Sequence, residues 1–134
     1  MPLAKPTCNA LVMPASAPSV TEEIGTVPTV TGGGVIPSGT YLLIKRIIES
    51  GTPKTAKNVN VYDGTCAVGL RVDANGEVRS AGSFTASGND LTVSITCPVT
   101  LVGSVTYKVD TTGAKAKLIV GEVGPATYSE YQQQ

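Results

Sequence analysis

Residues Arg79–Cys97, RSAGSFTASGNDLTVSITC, read as two antiparallel strands joined by a tight polar turn. Leu91, Val93, Ile95 and Cys97 fall on one face, with Thr92, Ser94 and Thr96 on the other. Alternation with period two marks a half-buried strand. Ala86-Ser87-Gly88-Asn89-Asp90 supplies the turn, because Gly and Asn tolerate positive φ while Asp and Ser bond their own backbone.

Outward from this hairpin the same unit repeats. Downstream, Leu101–Asp110 carries Val105, Tyr107 and Val109 in alternation. Thr111-Thr112-Gly113 turns into Ala114–Val120, with Ala114, Ala116, Leu118 and Val120 expected inward and Lys115 and Lys117 outward. Gly121 and Gly124-Pro125 break the chain before a last strand, Ala126–Gln132. Upstream, Asp73-Ala74-Asn75-Gly76 is a hairpin signal. It leads into Glu77–Thr85, where Val78 and Phe84 share a face, and follows a strand whose inner face is expected to be Cys66, Val68, Leu70 and Val72. Lys57–Tyr62 alternates through Val59 and Val61 before the turn Asp63-Gly64. Tyr41–Glu49, YLLIKRIIE, is ambiguous: Leu43, Ile44, Ile47 and Ile48 sit at helical spacing, yet the segment is short and rich in strand formers. It reads as a strand covered on both faces or bulged, with a helix as the alternative.

About eight short strands with close turns must hide their edges, and closure into a barrel does so directly. The expected fold is therefore all-β: a small antiparallel up-and-down barrel over 39–134, with a two-sheet sandwich as the alternative. Residues 1–38 differ. They hold Pro2, Pro6, Pro14, Pro18, Pro28 and Pro37, and proline lacks the backbone donor a ladder needs. This segment is expected to be an extended arm, ending at Thr31-Gly32-Gly33-Gly34. A linker and an arm packed on the body through Val20, Ile24, Val27 and Val30 both fit.

The chain has 134 residues, room for one domain, with 41% hydrophobic and only 15% charged residues and zero formal net charge. No basic stripe is present to neutralise phosphates, so nucleic acid is not an expected partner. No window approaches the length of a transmembrane helix. Low charge with abundant Thr, Ser, Val and Gly suits β proteins outside the cell. The expected location is extracellular or in the cell envelope, although an export signal is absent from this chain.

Three stretches resemble a group of uncharacterised secreted or lipoprotein-type proteins of myxobacteria. They are Cys8-Asn9-Ala10-Leu11-Val12 followed by Pro28-Thr29-Val30-Thr31-Gly32-Gly33; Gly39-Thr40-Tyr41-Leu42-Leu43; and Gly82-Ser83-Phe84-Thr85 running into Leu91-Thr92-Val93 and Thr96-Cys97-Pro98. Tyr128–Gln132 is similar to their ends. The Gly39-Thr40-Tyr41 opening and the GSFTASGNDLTV hairpin also resemble lipocalin-like (calycin) domains. There the opening aromatic plugs one barrel end, with Tyr41 here replacing the commoner Trp. The resemblance implies a fold and an export route, not a reaction. Lys5-Pro6-Thr7 before Cys8 is not a lipobox, so lipid anchoring at Cys8 is not expected.

Three cysteines cannot all pair within one chain. By strand parity Cys66 and Cys97 both point inward, which makes their pairing one alternative and Cys8–Cys97 the other. The resemblance carries Cys8 and Cys97 but not clearly Cys66, and so implies Cys8–Cys97. The chain has no histidine, so the usual zinc sets and a Ser-His-Asp triad are excluded. No metal, cofactor or catalytic residue is expected. Asp63, Asp73, Asp90 and Asp110 fall in turns, where turn chemistry explains them. Asp73, Asn75 and Glu77 form only half of a calcium loop. If the barrel is hollow, Tyr41, Phe84, Tyr107 and Leu118 are the expected lining for a small apolar ligand. Lys45 and Arg46 interrupt an apolar strand, either as a snorkelling surface pair or with one turned inward.

The leading functional expectation is a non-catalytic structural or surface protein that self-assembles when its arm adds to a neighbour's sheet edge. The alternatives are a lipocalin-like barrel for a small ligand, and a protein-binding or inhibitor module using Ser50–Thr55 or Pro98–Gly103.

Overall fold

The structure is a computed structural model that describes residues 8–123 and 126–134. The start of the arm, with Pro2, Pro6 and Lys5-Pro6-Thr7, and the break at Gly124-Pro125 lie outside the described residues. Ten strands and no helix are found among the described residues: β1 Val20–Thr21, β2 Glu23–Ile24, β3 Gly39–Ile48, β4 Thr55–Asp63, β5 Cys66–Asp73, β6 Gly76–Ser87, β7 Asp90–Cys97, β8 Leu101–Asp110, β9 Lys117–Glu122 and β10 Thr127–Gln133. Strands β3 to β10 close an eight-stranded antiparallel barrel: each pairs with the next in sequence, and β10 returns to β3. The sandwich and helix alternatives are not adopted.

The opening hairpin forms as expected, with Phe84 opposite Val93 and the turn narrowed to Gly88-Asn89. Tyr41–Glu49 is a bulged strand. Lys45 faces Glu130 and Leu43 faces Tyr131, so Ile44 is the extra residue. A bulge bends its strand, and here β3 leaves β4. The two pair only through Gly39–Leu42 against Val59–Tyr62.

The arm fills the split that follows. β1 pairs antiparallel with Thr55 and Ala56 of β4, and β2 pairs parallel with Ile47 and Ile48 of β3. Glu22, between them, donates its N–H to the Lys54 carbonyl at 2.9 Å. Further on, the Gly33 N–H reaches the Tyr107 carbonyl and the Val109 N–H reaches the Gly33 carbonyl, both at 2.9 Å, where β7 has ended beside β8. Gly33 has φ +60°, and a Cβ there would lie 1.9 Å from the Gly88 carbonyl oxygen, so no other residue fits this dock. The arm is thus a packed girdle, with Val20 and Val30 buried and Ile24 exposed.

The girdle changes which faces are core. Leu42, Val59 and Leu70 point outward, yet each is no more than 2% exposed because Leu11, Met13 and Ala17 cover them. Asn9 clamps this stretch: its Nδ2 donates to the Gly69 and Ser80 carbonyls at 2.9 and 2.8 Å, and Arg79 Nη1 donates to the Leu11 carbonyl at 2.7 Å. The expected inner face of β5 is therefore corrected. Leu70 and Val72 lie beneath the arm, Cys66 is exposed, and Ala67, Gly69 and Arg71 face the barrel interior. The disulfide joins Cys8 to Cys97 across 89 residues, and Cys66 is free. The strand expected from Ala114 begins only at Lys117, and Ala114 is exposed. Val78 shares a face with Phe84 as expected, and is 61% exposed at the barrel rim.

Candidate functional site: the open end of the barrel

The two ends of the barrel interior are built differently. At one end Tyr41, Tyr62, Phe84, Leu91, Tyr107 and Leu118 pack together with Ile36, which enters from the arm. Tyr62 stands edge-on to Tyr41 and to Phe84, with ring centroids 5.6 and 5.2 Å apart. The hydroxyls find partners in the arm: Tyr41 donates to the Pro37 carbonyl and Tyr107 to the Gly34 carbonyl, both at 2.6 Å. This end is filled. The four residues expected to line a ligand cavity, Tyr41, Phe84, Tyr107 and Leu118, all lie in it, at 0, 9, 2 and 0% exposure. They are brought together as a solid plug, and none of them lines the cavity described next.

The other end holds the space. A cavity of about 180 Å³ is bounded by Asn60, Ala67, Gly69 and Ser80 on one side and by Val93 and Ile95 on the other, with Tyr62 of the plug at its floor. Register explains the lining. Tyr41 faces Asn60, Asn60 faces Gly69 and Gly69 faces Ser80, so one inward row runs from a large ring to residues with little or no side chain. Several inward positions at this end are polar. Arg46 Nη1 donates to Ser129 Oγ at 2.8 Å and its Nε pairs with Glu22 Oε2 at 2.8 Å. Glu22 Oε1 also accepts the Lys54 N–H at 2.9 Å. Arg71 pairs with Asp73 at 3.4 Å. Of the Lys45–Arg46 pair, Arg46 turns inward and Lys45 is exposed.

Two buried polar atoms in this half have no protein partner among the described residues: Thr127 Oγ1, on a residue 7% exposed, and Asn58 Oδ1. Such atoms cost free energy unless a solvent or ligand group meets them. Burial pushes the Glu22 carboxyl up, but the Arg46 hydrogen bond, the Lys54 N–H and the charges of Arg46 and Arg71 outweigh it and hold the group below its ordinary value. Burial, above all, raises the Tyr131 phenol next to this cluster. The charged side chains at this end are thus held in pairs, Arg46 with Glu22 and Arg71 with Asp73.

Sequence reasoning missed Asn58, Asn60, Ser80, Thr127 and Ser129. The polar residues Asn58 and Asn60, alternating with Val59 and Val61, are the signal that could have found them. Two of the four turn carboxylates bond their own turns: Asp73 Oδ1 accepts the Asn75 N–H at 2.8 Å, and Asp110 Oδ1 accepts the Thr112 N–H and hydroxyl at 3.0 and 2.6 Å. No group of three or more His, Cys, Asp or Glu side chains that could hold a metal ion is found among the described residues. No helix of the described residues is long and apolar enough to cross a membrane. Comparison with protein-family models, with curated proteins and with solved structures found no match.

Proposed function

We propose that this chain is a non-catalytic binding barrel that takes one small amphiphilic molecule through its open end. One observation carries the reading. The interior at that end is a cavity with an apolar wall of Val93 and Ile95 facing Asn60 and Ser80. Binding cavities generally combine apolar lining with a few placed polar groups. The volume of about 180 Å³ equals roughly six waters at about 30 Å³ each, so the ligand, or the part of it that enters, is small. Kinship with secreted myxobacterial proteins and an extracellular or envelope location belong to this reading, and the disulfide suits an oxidising compartment. Assembly by lending the arm to a neighbour is the less favoured reading, because the described arm pairs with its own barrel.

Native mass spectrometry of the unreduced protein, purified gently from its producing cells, tests the proposal. The expected result is a retained small-molecule mass that Ser80→Phe, which fills the cavity, removes. A bare wild-type chain, or a bound mass that Ser80→Phe leaves unchanged, would refute it.

A further inference from the structure

The chain hides its strand edges with its own arm. β1 covers the start of β4, β2 covers the end of β3, and Gly33 covers Tyr107–Val109 of β8. Two edges stay uncovered among the described residues. β6 pairs with β7 only from Ala81 onward, which leaves Gly76–Ser80 open, and β8 pairs with β9 only from Thr106 onward, which leaves Leu101–Val105 open. The β6 edge carries Glu77 and Arg79, the charged residues that keep an edge from pairing with another chain. The β8 edge carries none: Val99 to Tyr107 is an uncharged run. Val99, Leu101 and Val102 are 62, 59 and 63% exposed there.

We infer that Leu101–Val105 of β8 is a pairing edge for a second copy of this chain. The backbone direction sets the register. The Tyr107 N–H bonds Asn89 and the Val109 N–H bonds Gly33, so odd-numbered residues of β8 direct their peptide groups towards β7 and the arm. Even-numbered residues direct theirs towards β9. Beyond the end of the β9 ladder, Val102 and Ser104 are left with two N–H and two C=O groups facing outward. An antiparallel two-fold with Gly103 opposite Gly103 of the second copy pairs Val102 with Ser104 both ways. It makes four hydrogen bonds and places Leu101 against Val105. Gly103 then occupies a non-hydrogen-bonded pair, where the strands come closest and a missing side chain removes any clash. No like charges oppose one another across the axis. The contact is small and the dimer weak.

Sedimentation equilibrium over a wide concentration range, in a Cys66→Ser background that removes the free thiol, tests the inference. The wild-type edge is expected to show a reversible monomer–dimer equilibrium. Val102→Lys and Ser104→Pro are each expected to weaken it at least about tenfold. Proline at 104 removes the outward donor and the Thr92 Oγ1–Ser104 Oγ hydrogen bond, but spares the β7 backbone ladder. Gly103→Cys is expected to cross-link two copies on mild oxidation, because a non-hydrogen-bonded pair holds its Cα atoms about 4.5 Å apart, within disulfide range. Val78→Cys, on the charged β6 edge, serves as the control. A monomer at every concentration, a dimer that survives both Val102→Lys and Ser104→Pro, or Gly103→Cys cross-linking no faster than Val78→Cys would each overturn the inference.

Discussion

The Cys8–Cys97 bridge ties the first described residue of the arm to the end of β7, across 89 residues of sequence. A cross-link stabilises mainly by removing freedom from the unfolded chain, and the loop-closure relation for this separation gives ~4.6 kcal/mol at 25 °C. In the folded state the bridge holds the stretch that covers Leu42, Val59 and Leu70, but the Asn9 and Arg79 hydrogen bonds hold the same stretch independently. The arm should therefore stay docked when the bridge is removed, and the loss should appear as unfolded-state entropy. The comparison is urea unfolding of Cys66→Ser with that of the triple serine variant lacking all three thiols. With m for a domain of this size at about 2 kcal/mol/M, the midpoint should fall by roughly 2 M. The m value should rise, because an uncross-linked unfolded chain exposes more surface. A midpoint shift worth less than about 1 kcal/mol would mean that the bridge adds no constraint to the unfolded chain.

Three further outcomes follow from side chains of the arm and barrel. Glu22→Gln should cost about 1–3 kcal/mol at neutral pH, because it leaves the Arg46 guanidinium without its carboxylate partner. The folded Glu22 carboxyl is held below the ordinary value of 4.5, so this contribution is complete above that pH and is lost as pH falls through the folded pKa. Acid titrations of stability for wild type and variant should converge at the low end. Leu118→Ala empties a site of 0% exposure within the plug and should cost about 3–5 kcal/mol in denaturant unfolding; a cost below about 1 kcal/mol would mean that the plug is not packed as described. Burial and the Glu130 hydrogen bond and charge push Tyr128 up to about 12, and burial raises Tyr41, Tyr62 and Tyr131 above 10. Neutral phenols stabilise the fold fully below pH 10, and that stability is lost as pH rises through the folded values. Phenolate absorbance should lag a free-tyrosine titration until the protein unfolds in alkali.

The strands were legible because each hairpin writes its own period and turn. Leu91 to Ile95 alternates, Asp73 to Gly76 turns, and Tyr41–Glu49 mixes two periods because a bulge at Ile44 shifts its parity. Closure into a barrel followed from the need to hide edges. The candidate site was much less legible. Alternation says that the two faces of a strand differ, but not which face is interior when both are covered. On β4 and β5 the apolar row of Val59, Leu70 and Val72 seals against Leu11, Met13 and Ala17 of the arm. That leaves Asn58, Asn60, Gly69 and Arg71 to face the barrel interior. Strand positions, turns, the extended character of a proline-rich arm and the rings available for a plug are all local properties of the residues. That the arm girdles its own barrel, and with it which face is lined, which end is filled and which strand edge is left open, emerges from packing alone. Those outcomes depend on contacts between segments tens of residues apart, and no local period encodes them.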